Sequence, residues 1–264
     1  MTRLFWFGLA WALLLLGWEA GSWVGWLNPQ ILPPPSETLP FALSGQVQVG
    51  FGQQRIGLAD AVVVTLLRVG LGMALGILAS LIIAILVTEL SFLRKIMLPI
   101  VQSLAPIAPV AWIPFTIVVI GIGGPAAIFI VFMAVTSSLS LSLISALDHT
   151  PQEFITIAHN LRTPPFRMWW QIRLPAIFAP AITSTRMAFF GAWMAVLADE
   201  MAGINSGLGY MIVMAQQMYN MKIVMIGIIT IGLVGFVVDR LLLLLSRFVM
   251  ENLYGHPQHH RTAA

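Results

Sequence analysis

The chain has 264 residues, of which 59% are hydrophobic and only 9% are charged, and its formal net charge is +3. Soluble domains carry about 25% charged residues, so this composition excludes an ordinary soluble domain and indicates an integral membrane protein. The thirteen Lys and Arg residues are spread along the chain and form no patch, which argues against a nucleic-acid partner. Cysteine is absent, which excludes disulfides and thiolate metal sites.

Six apolar stretches are long enough to cross a bilayer, whose core of about 30 Å needs about 20 helical residues. All are predicted to be helices, because an open sheet edge cannot be satisfied in lipid. Their approximate limits are residues 4–27, 58–89, 96–120, 126–146, 176–198 and 222–247. The sequence therefore predicts an all-α membrane protein with about six transmembrane helices, as a single domain over residues 1–264.

The link after the first span, residues 28–46, is rich in proline and small polar residues, so we expect an extended external loop. In the second span Gly72, Gly76 and Ser80 are spaced four apart. Such a stripe of small residues lets another helix approach closely, so we expect this face to be a packing face.

The third span contains four prolines, Pro99, Pro106, Pro109 and Pro114. Prolines in a membrane helix produce kinks or unwound turns, which are tolerated where protein or a water-filled path satisfies the freed carbonyls. We interpret this span as a helix facing the transport path, with Pro106 and Pro109 as path residues. Simple kinking is the alternative.

The longest polar interruption is the segment from Leu147 to Pro175, which contains Arg162, Arg167 and Arg173. Arginines near span ends favour the cytoplasmic side. A helical pattern opens at Pro151–Glu153, places Phe154, Ile157, Ala158 and Leu161 on one face, and stops at Pro164 and Pro165. Phe166, Trp169 and Trp170 begin a second amphipathic run. Either insertion into a groove of a soluble protein or attachment to the lipid surface would suit this pattern.

Basic residues elsewhere agree with a cytoplasmic N-terminus. With alternate links assigned to the two sides, eight basic residues fall inside and two, Arg55 and Lys222, fall outside. The eight are Arg3, Arg94, Lys95, Arg162, Arg167, Arg173, Arg247 and Arg261. Both termini are therefore expected in the cytoplasm.

Charged groups within spans are functional candidates, because each is costly in lipid. Arg186 lies about 16 Å along a helix from Pro175, near mid-membrane. It could attract an anion in the transport path, or pair with an acid on another helix. Asp199 and Glu200 are expected near the outer face, paired with Arg55 or Arg68, or in contact with a docking protein.

Five methionines after the fifth span follow a three-four-three-four spacing that predicts one helical stripe. They are Met211, Met214, Met218, Met221 and Met225. Soft thioethers suit a gate or a subunit contact, and the first three are assigned to the transport path; plain packing is the alternative. Gly203, Gly207 and Gly209 predict a turn before a short external helix or re-entrant segment.

Enzymatic motifs are absent from the sequence. Neither lysine belongs to a G-K-[ST] phosphate loop, and no H-E-x-x-H motif occurs. His256, His259 and His260 lie in a polar C-terminal tail, which we interpret as a frayed end rather than a metal site. We therefore expect no catalytic residue, no metal and no cofactor on this chain.

Three motifs, in this order, resemble the ABC importer permeases for nitrate, sulfonate, taurine and bicarbonate. The first is I-L-P-P-P-S-E-T-L at residues 31–39. The second is A-x-x-L with an I-x-L-P ending, formed by Ala158, Leu161, Ile172, Leu174 and Pro175, as in the family's cytoplasmic coupling loop. The third is Asp199-Glu200-Met201 followed by G-L-G-Y. The coupling loop departs from the family, which often has Glu-Ala-Ala where this chain has Thr156-Ile157-Ala158, and Gly where it has Arg162.

The resemblance implies a type I importer architecture in the bacterial inner membrane, with a coupling loop at residues 147–175. It implies two permease copies, cytoplasmic ATPases that hold ATP and Mg, and a periplasmic or lipid-anchored binding protein, all within membrane lipid. The residues implied to contact the ATPase are Glu153, Ala158, Leu161, Arg162, Thr163, Phe166 and Arg167. The expected cargo is a small anion; a vitamin precursor or other organic solute is the alternative. An ion-coupled carrier or a membrane sensor would be functions of other classes.

Overall fold

The computed structural model describes residues 2–45, 47–50, 55–150 and 152–254. Pro151 and the histidine-containing tail fall outside these described residues. Apart from one short antiparallel pair, β1 and β2, the regular elements described are helices. In chain order the elements are α1 Thr2–Trp23, α2 Pro35–Leu43, β1 Gln48–Val49, β2 Ile56–Gly57, α3 Leu58–Glu89, α4 Ser91–Leu104, α5 Ile113–Val119, α6 Gly124–Asp148, α7 Gln152–Asn160, α8 Pro165–Met168, α9 Leu174–Ala202, α10 Leu208–Gln217 and α11 Met221–Tyr254.

Five of the described helices are long and apolar enough to cross a membrane. They run over Phe5–Trp23, Leu58–Glu89, Gly124–Asp148, Phe166–Ala202 and Met221–Phe248. A sixth span is reached if α4 and the following segment Pro109–Val119 count as one. The all-α membrane fold predicted from the sequence is confirmed.

The third predicted span is a broken helix, not a continuous one. Its two halves, α4 and Pro109–Val119, meet at an angle of 99°. Pro106 and Pro109 explain the break, because each lacks an N–H, and Pro109 also keeps the residue before it out of the helical region. Ala108 accordingly has an extended ψ of 134°, and a 3-10 turn over Pro109–Trp112 leads into α5. The kink predicted from the prolines is confirmed.

The link after α1 differs from the predicted extended loop, because it contains the nine-residue helix α2. Its first residue is Pro35, whose missing N–H costs nothing in the first turn of a helix. The carboxylate of Glu19 on α1 accepts hydrogen bonds from the backbone N–H of Ser36 at 3.2 Å and from its hydroxyl at 2.8 Å. A local proline-rich composition could not reveal this long-range cap.

The chain divides into two compact units. One contains residues Met1–Leu66 and Glu200–Val234; the other contains Leu67–Asp199 and Gly235–Ala264. In the second unit α6 is the most deeply buried span, whereas α1 in the first unit is exposed over most of residues 5–23. The prediction of a single functional domain stays a prediction.

The small-residue stripe on α3 packs against α6, as the sequence predicts. A methyl group added at Gly72 would lie 2.5 Å from the Val131 side chain, and one at Gly76 would lie 2.7 Å from Val135. Ser80 donates its hydroxyl to the carbonyl of Gly76 at 2.7 Å, which satisfies this buried group within the helix. The stripe therefore permits an approach that larger side chains would prevent.

Candidate functional site

The predicted coupling loop folds as two helical segments separated by a turn. Helix α7 ends before Pro164, and α8 continues through a π-helical turn at Trp169–Arg173 into α9. On α7 the side chain of Ala158 is 4% exposed, whereas Ile157 is 54% exposed and Leu161, just beyond the helix, is 74% exposed. Ala158 therefore faces inward, and two large apolar side chains are left outside.

The outer surface of this loop combines apolar, aromatic and charged groups. Phe166 and Trp170 are both exposed, with ring centroids 6.1 Å apart. Glu153, Arg162 and Arg167 are exposed as well, and Thr163 is half-buried. Exposed aromatic and arginine side chains are typical of protein interfaces. The residues predicted to contact an ATPase, apart from Ala158, thus lie on accessible surface; whether they make that contact stays a prediction.

Arg162 has a left-handed backbone conformation, with φ of +49°. It follows the end of α7, and the N–H of Thr163 donates to the carbonyl of Ala158 at 3.0 Å. This is the Schellman closure of a helix, in which the left-handed residue is usually glycine. The geometry explains why the resembled family often has glycine here, and shows that this chain keeps an arginine despite the backbone strain.

A cavity of about 360 Å³ in the second unit is lined by apolar residues and by five hydroxyl residues of α6 and α9. These are Ser137, Ser138, Ser142, Thr183 and Ser184. Pro109 also lines this cavity, whereas Pro106 is exposed. The sequence reasoning missed all five hydroxyl residues. The signals were the runs S-S-L-S-L-S at 137–142 and T-S-T at 183–185, which place several hydroxyls on apolar spans.

Four of the five hydroxyls of this cavity, those of Ser137, Ser138, Ser142 and Thr183, are bonded within their own helices. Ser137 and Ser138 donate to the carbonyls of Met133 and Ala134 at 2.8 and 2.9 Å, and Thr183 donates to that of Ala179 at 3.1 Å. Such bonds satisfy the hydroxyls in an apolar segment while leaving their oxygens able to accept from water. The cavity can therefore hold water and small polar solutes without a fixed charge.

Arg186 on α9 pairs with Asp239 on α11. The guanidinium donates from Nε and Nη2 to the two carboxylate oxygens, with the Nη2–Oδ2 distance at 2.8 Å. The sequence left two roles open for Arg186, attraction of an anion or pairing with an acid on another helix. The structure shows the geometry of the second role. Arg186 lines a separate, apolar cavity of about 330 Å³ and not the hydroxyl-lined one.

Asp199 and Glu200 are buried near the end of α9, with exposed fractions of 2% and 1%. A direct contact of these carboxylates with a docking protein does not fit this burial. Within the first unit, Glu200 accepts hydrogen bonds from the Thr65 hydroxyl at 2.8 Å and from the Gly209 N–H at 3.0 Å. Leu208 N–H donates to the Thr65 oxygen at 2.9 Å. Glu200 thus holds the start of α10 to α3.

This arrangement gives a physical reason for the motif Asp199-Glu200-Met201 followed by G-L-G-Y. Gly207 has φ of +105°, and a methyl group added there would lie 2.2 Å from the Glu200 carboxylate. The residue must therefore be glycine for the carboxylate to reach the N-terminus of α10, where negative charge is favoured. The predicted short helix after the glycines is confirmed as α10.

The predicted methionine stripe is wrong as a single helical face. Helix α10 ends at Gln217, and α11 begins at Met221 after a turn in which Tyr219 has φ of +53°. Met211 is fully buried, Met214 is half-buried and Met218 is exposed beside the turn. Sequence spacing could not reveal the change of helix direction, because Tyr219 is not a residue that usually signals a turn.

The fold is similar to that of the inward-facing MetNI methionine ABC transporter (CY5 native crystal form), with a TM-score of 0.62 at 18% identity, covering 74% of this chain and 95% of that one. The architecture is therefore that of a type I ABC importer permease.

Sequence comparisons identify the family. Residues 72–251 match the model for the binding-protein-dependent transport system inner membrane component. The bicarbonate transport permease CmpB of Synechocystis is 30% identical over 92% of this chain and 87% of its own length. TauC, the taurine transport permease of Escherichia coli, is 25% identical over 86% and 82%; the nitrate import permease NrtB of Synechocystis is 25% identical over 90% and 86%. The chain belongs to this family and is a multi-pass permease of an ABC importer.

Proposed function

We propose that this chain is the permease through which an ATP-driven importer takes up a small anion of the bicarbonate, nitrate or taurine class. The observation that carries the substrate class is the likeness to permeases named for those three solutes, of which the bicarbonate permease reaches 30% identity over 92% of the chain. All three solutes are small and polar, and each carries an anionic group. A vitamin precursor or another organic solute is the alternative cargo.

The hydroxyl-lined cavity is the proposed passage for this solute within one subunit. A water molecule occupies about 30 Å³ of liquid, so a cavity of about 360 Å³ accommodates a small anion with part of its hydration shell. Hydroxyls that rotate from a helix carbonyl to the solute supply donors without binding it tightly, as conduction requires. The break between α4 and α5 borders the same cavity through Pro109.

The exposed coupling loop supports the proposed assembly. Two copies of this chain would associate with two cytoplasmic ATPases, which hold ATP and Mg and hydrolyse the nucleotide. The apolar groups Ile157, Leu161, Phe166 and Trp170 would enter a groove on the ATPase. In this proposed assembly the loop and both termini would lie in the cytoplasm, and a periplasmic or lipid-anchored binding protein would deliver the solute on the other side.

Transport measurements with the full complex test the proposal. The permease is co-purified with the ATPases and the binding protein encoded beside it, and reconstituted in liposomes. Uptake of labelled bicarbonate, nitrate and taurine is compared with and without internal ATP. We expect uptake of one of the three that needs ATP and the binding protein and persists after ionophores remove ion gradients.

Two outcomes would contradict the proposal in different ways. Uptake that persists without ATP and collapses with an ion gradient would indicate an ion-coupled carrier. ATP hydrolysis stimulated by the loaded binding protein, without transport of any of the three solutes, would support the importer class and overturn the proposed substrate class. Mass spectrometry of the solute retained by the purified binding protein would then identify the cargo.

A further inference from the structure

The corner between α3 and α4 contacts the coupling loop on both of its flanks. Glu89 is the last residue of α3, Leu90 follows, and Ser91 begins α4; we call residues 89–94 the α3–α4 corner. All of the contacts involved lie within the second compact unit. The corner is 54 or more residues away in sequence from the residues that it binds, so no local pattern reveals it.

On the upstream flank, Arg94 binds Asp148. Asp148 is the last residue of α6 and comes shortly before α7 begins at Gln152. The two guanidinium nitrogens donate to separate oxygens, with Nη1–Oδ1 at 2.9 Å and Nη2–Oδ2 at 2.6 Å. A bidentate pair of this kind fixes both distance and orientation, which a single contact from a lysine would not do.

On the downstream flank, Glu89 binds two residues of the π-helical turn that follows α8. The indole N–H of Trp169 donates to Glu89 Oε1 at 2.7 Å, and Nη1 of Arg173 donates to the same oxygen. The Arg173 guanidinium also lies over the Trp169 ring, 5.0 Å from its centroid. Glu89, Trp169 and Arg173 thus contact one another, and the Arg173 side chain is largely buried in this arrangement.

We propose that the α3–α4 corner is a two-point clamp that transmits movement of the coupling loop to the broken helix beside the transport path. The inference rests on the proposed role of α7 as the contact to the ATPase. A loop held at one flank could rotate about that point, whereas a loop held at both flanks moves together with the corner. Helix α4 then carries the displacement toward Ala105, Ile107 and Pro109, which line the hydroxyl-lined cavity.

Ordinary surface ion pairs offer a competing explanation, since exposed pairs often contribute little to stability. If the pair has no role beyond its place on the surface, breaking it would change neither stability nor transport. A pair that only stabilises the fold would lower the amount of assembled complex, and ATP hydrolysis and transport would fall together. The clamp instead predicts that ATP hydrolysis continues while transport falls. The reason is that the ATPases would still split ATP, but movement of the coupling loop would no longer reach α4.

The test breaks each point of the clamp in the reconstituted complex of permease, ATPases and binding protein. The variants are Arg94→Ala and Asp148→Ala for one flank and Glu89→Gln for the other. Lys95→Ala is the matched control, because Lys95 is a cation directly after this corner and forms no ion pair with any described residue. We expect at least a five-fold rise in ATP consumed per solute imported for the three clamp variants, and no change for the control.

A double variant in which the two charges are exchanged tests the clamp even if a single variant assembles poorly. Arg94→Asp combined with Asp148→Arg restores the attraction with the charges reversed. We expect each single reversal to uncouple hydrolysis from uptake and the double variant to recover at least half of the normal ratio. Assembled single variants that keep the wild-type ratio, or a double variant no better than the singles, would overturn the clamp.

The wild-type complex separates failure of the clamp from failure of the proposed function. Transport is followed with whichever of labelled bicarbonate, nitrate or taurine the wild-type complex takes up. A wild-type complex that shows no ATP-driven uptake and binds no ATPase contradicts the importer assembly and removes the basis of the clamp. A wild-type complex that works, with clamp variants that behave like Lys95→Ala, refutes the clamp alone.

Discussion

At the scale of single residues, Arg162 shows a charged side chain kept at a backbone position that favours glycine. A non-glycine residue in the left-handed region costs about 1–2 kcal/mol, partly offset by the greater entropy that glycine has in the unfolded chain. The side chain is exposed at the tip of the coupling loop. A contact of this guanidinium with the ATPase stays a prediction, which substitution of Arg162 tests.

Replacing Arg162 separates backbone strain from charge. We expect Arg162→Gly to raise the stability of the permease by about 0.5–1 kcal/mol, because the strain at φ of +49° disappears. The same variant should lower the coupling of ATP hydrolysis to uptake several-fold. Thermal unfolding of the purified protein and transport by the complex measure the two effects.

Arg162→Asn is the control for this experiment, since asparagine tolerates the left-handed conformation but carries no charge. It should reproduce the loss of coupling without a loss of stability. An Arg162→Gly protein that is more stable and fully coupled would show that the guanidinium has no role in the ATPase contact.

The Arg186–Asp239 pair allows the structural and substrate roles of Arg186 to be separated. Arg186→Leu leaves the carboxylate of Asp239 without its bidentate partner on a membrane-spanning helix, so we expect a lower yield and a lower melting temperature. The double variant Arg186→Leu with Asp239→Leu removes both charges and should recover the yield. We expect it to retain uptake of the labelled anion.

Retention of uptake in the double variant would assign the pair to structure. Normal yield combined with loss of uptake would contradict this and return Arg186 to the transport path. Expression level, melting temperature and uptake by the reconstituted complex are measured on the same preparations. Arg186→Lys is a useful third variant, because it keeps the charge and loses the bidentate geometry.

At the scale of elements, the close approach of α3 to α6 depends on glycine at position 72 but not at position 70. A methyl group at Gly72 would meet the Val131 side chain and the Ile128 carbonyl at 2.5 and 2.9 Å, whereas one at Gly70 would meet nothing within 4 Å. We expect Gly72→Ala to destabilise the protein by about 1–3 kcal/mol, the usual cost of overpacking. Thermal unfolding in detergent measures the difference.

Gly70→Ala is the matched control on the same helix. It should be neutral or stabilising by up to about 1 kcal/mol, because alanine has the higher helix propensity. Equal effects of the two substitutions would show that α3 and α6 do not approach each other as closely as the structure indicates. Val131→Ala in the Gly72→Ala background should recover only part of the loss, since the Ile128 carbonyl remains in place.

At the scale of the whole molecule, the absence of cysteine makes the proposed path directly testable. Single cysteines are introduced as Ser138→Cys and Ser184→Cys in the hydroxyl-lined cavity, with Leu75→Cys as an exposed control outside it. In the reconstituted complex we expect a small anionic thiol reagent to label the two cavity cysteines and block uptake. The transported anion should slow this labelling.

The control cysteine at Leu75 should react slowly, because thiolates form poorly in lipid and a charged reagent stays in water. Labelling of the cavity cysteines that is unaffected by any of the three anions and leaves uptake intact would place the path elsewhere. The measurement compares labelling rates with and without ATP, so that both states of the transport cycle are sampled.

The amino-acid sequence by itself determined the features that depend on local physics. Apolar stretches of about 20 residues form helices because backbone groups in lipid must be satisfied within the segment. The same locality made the kinks at Pro106 and Pro109, the α3 packing stripe and the helix–turn–helix form of the coupling loop predictable. The order of short motifs was enough to indicate the permease family.

Only the tertiary structure decided which distant groups meet. It paired Arg186 with Asp239, buried Glu200 against Thr65, gave Glu19 a helix to cap and divided the methionines between α10 and α11. It also gathered hydroxyls from α6 and α9 around one cavity. Such contacts join residues 17 to 135 positions apart, so their formation depends on how whole helices pack and not on the residues beside them.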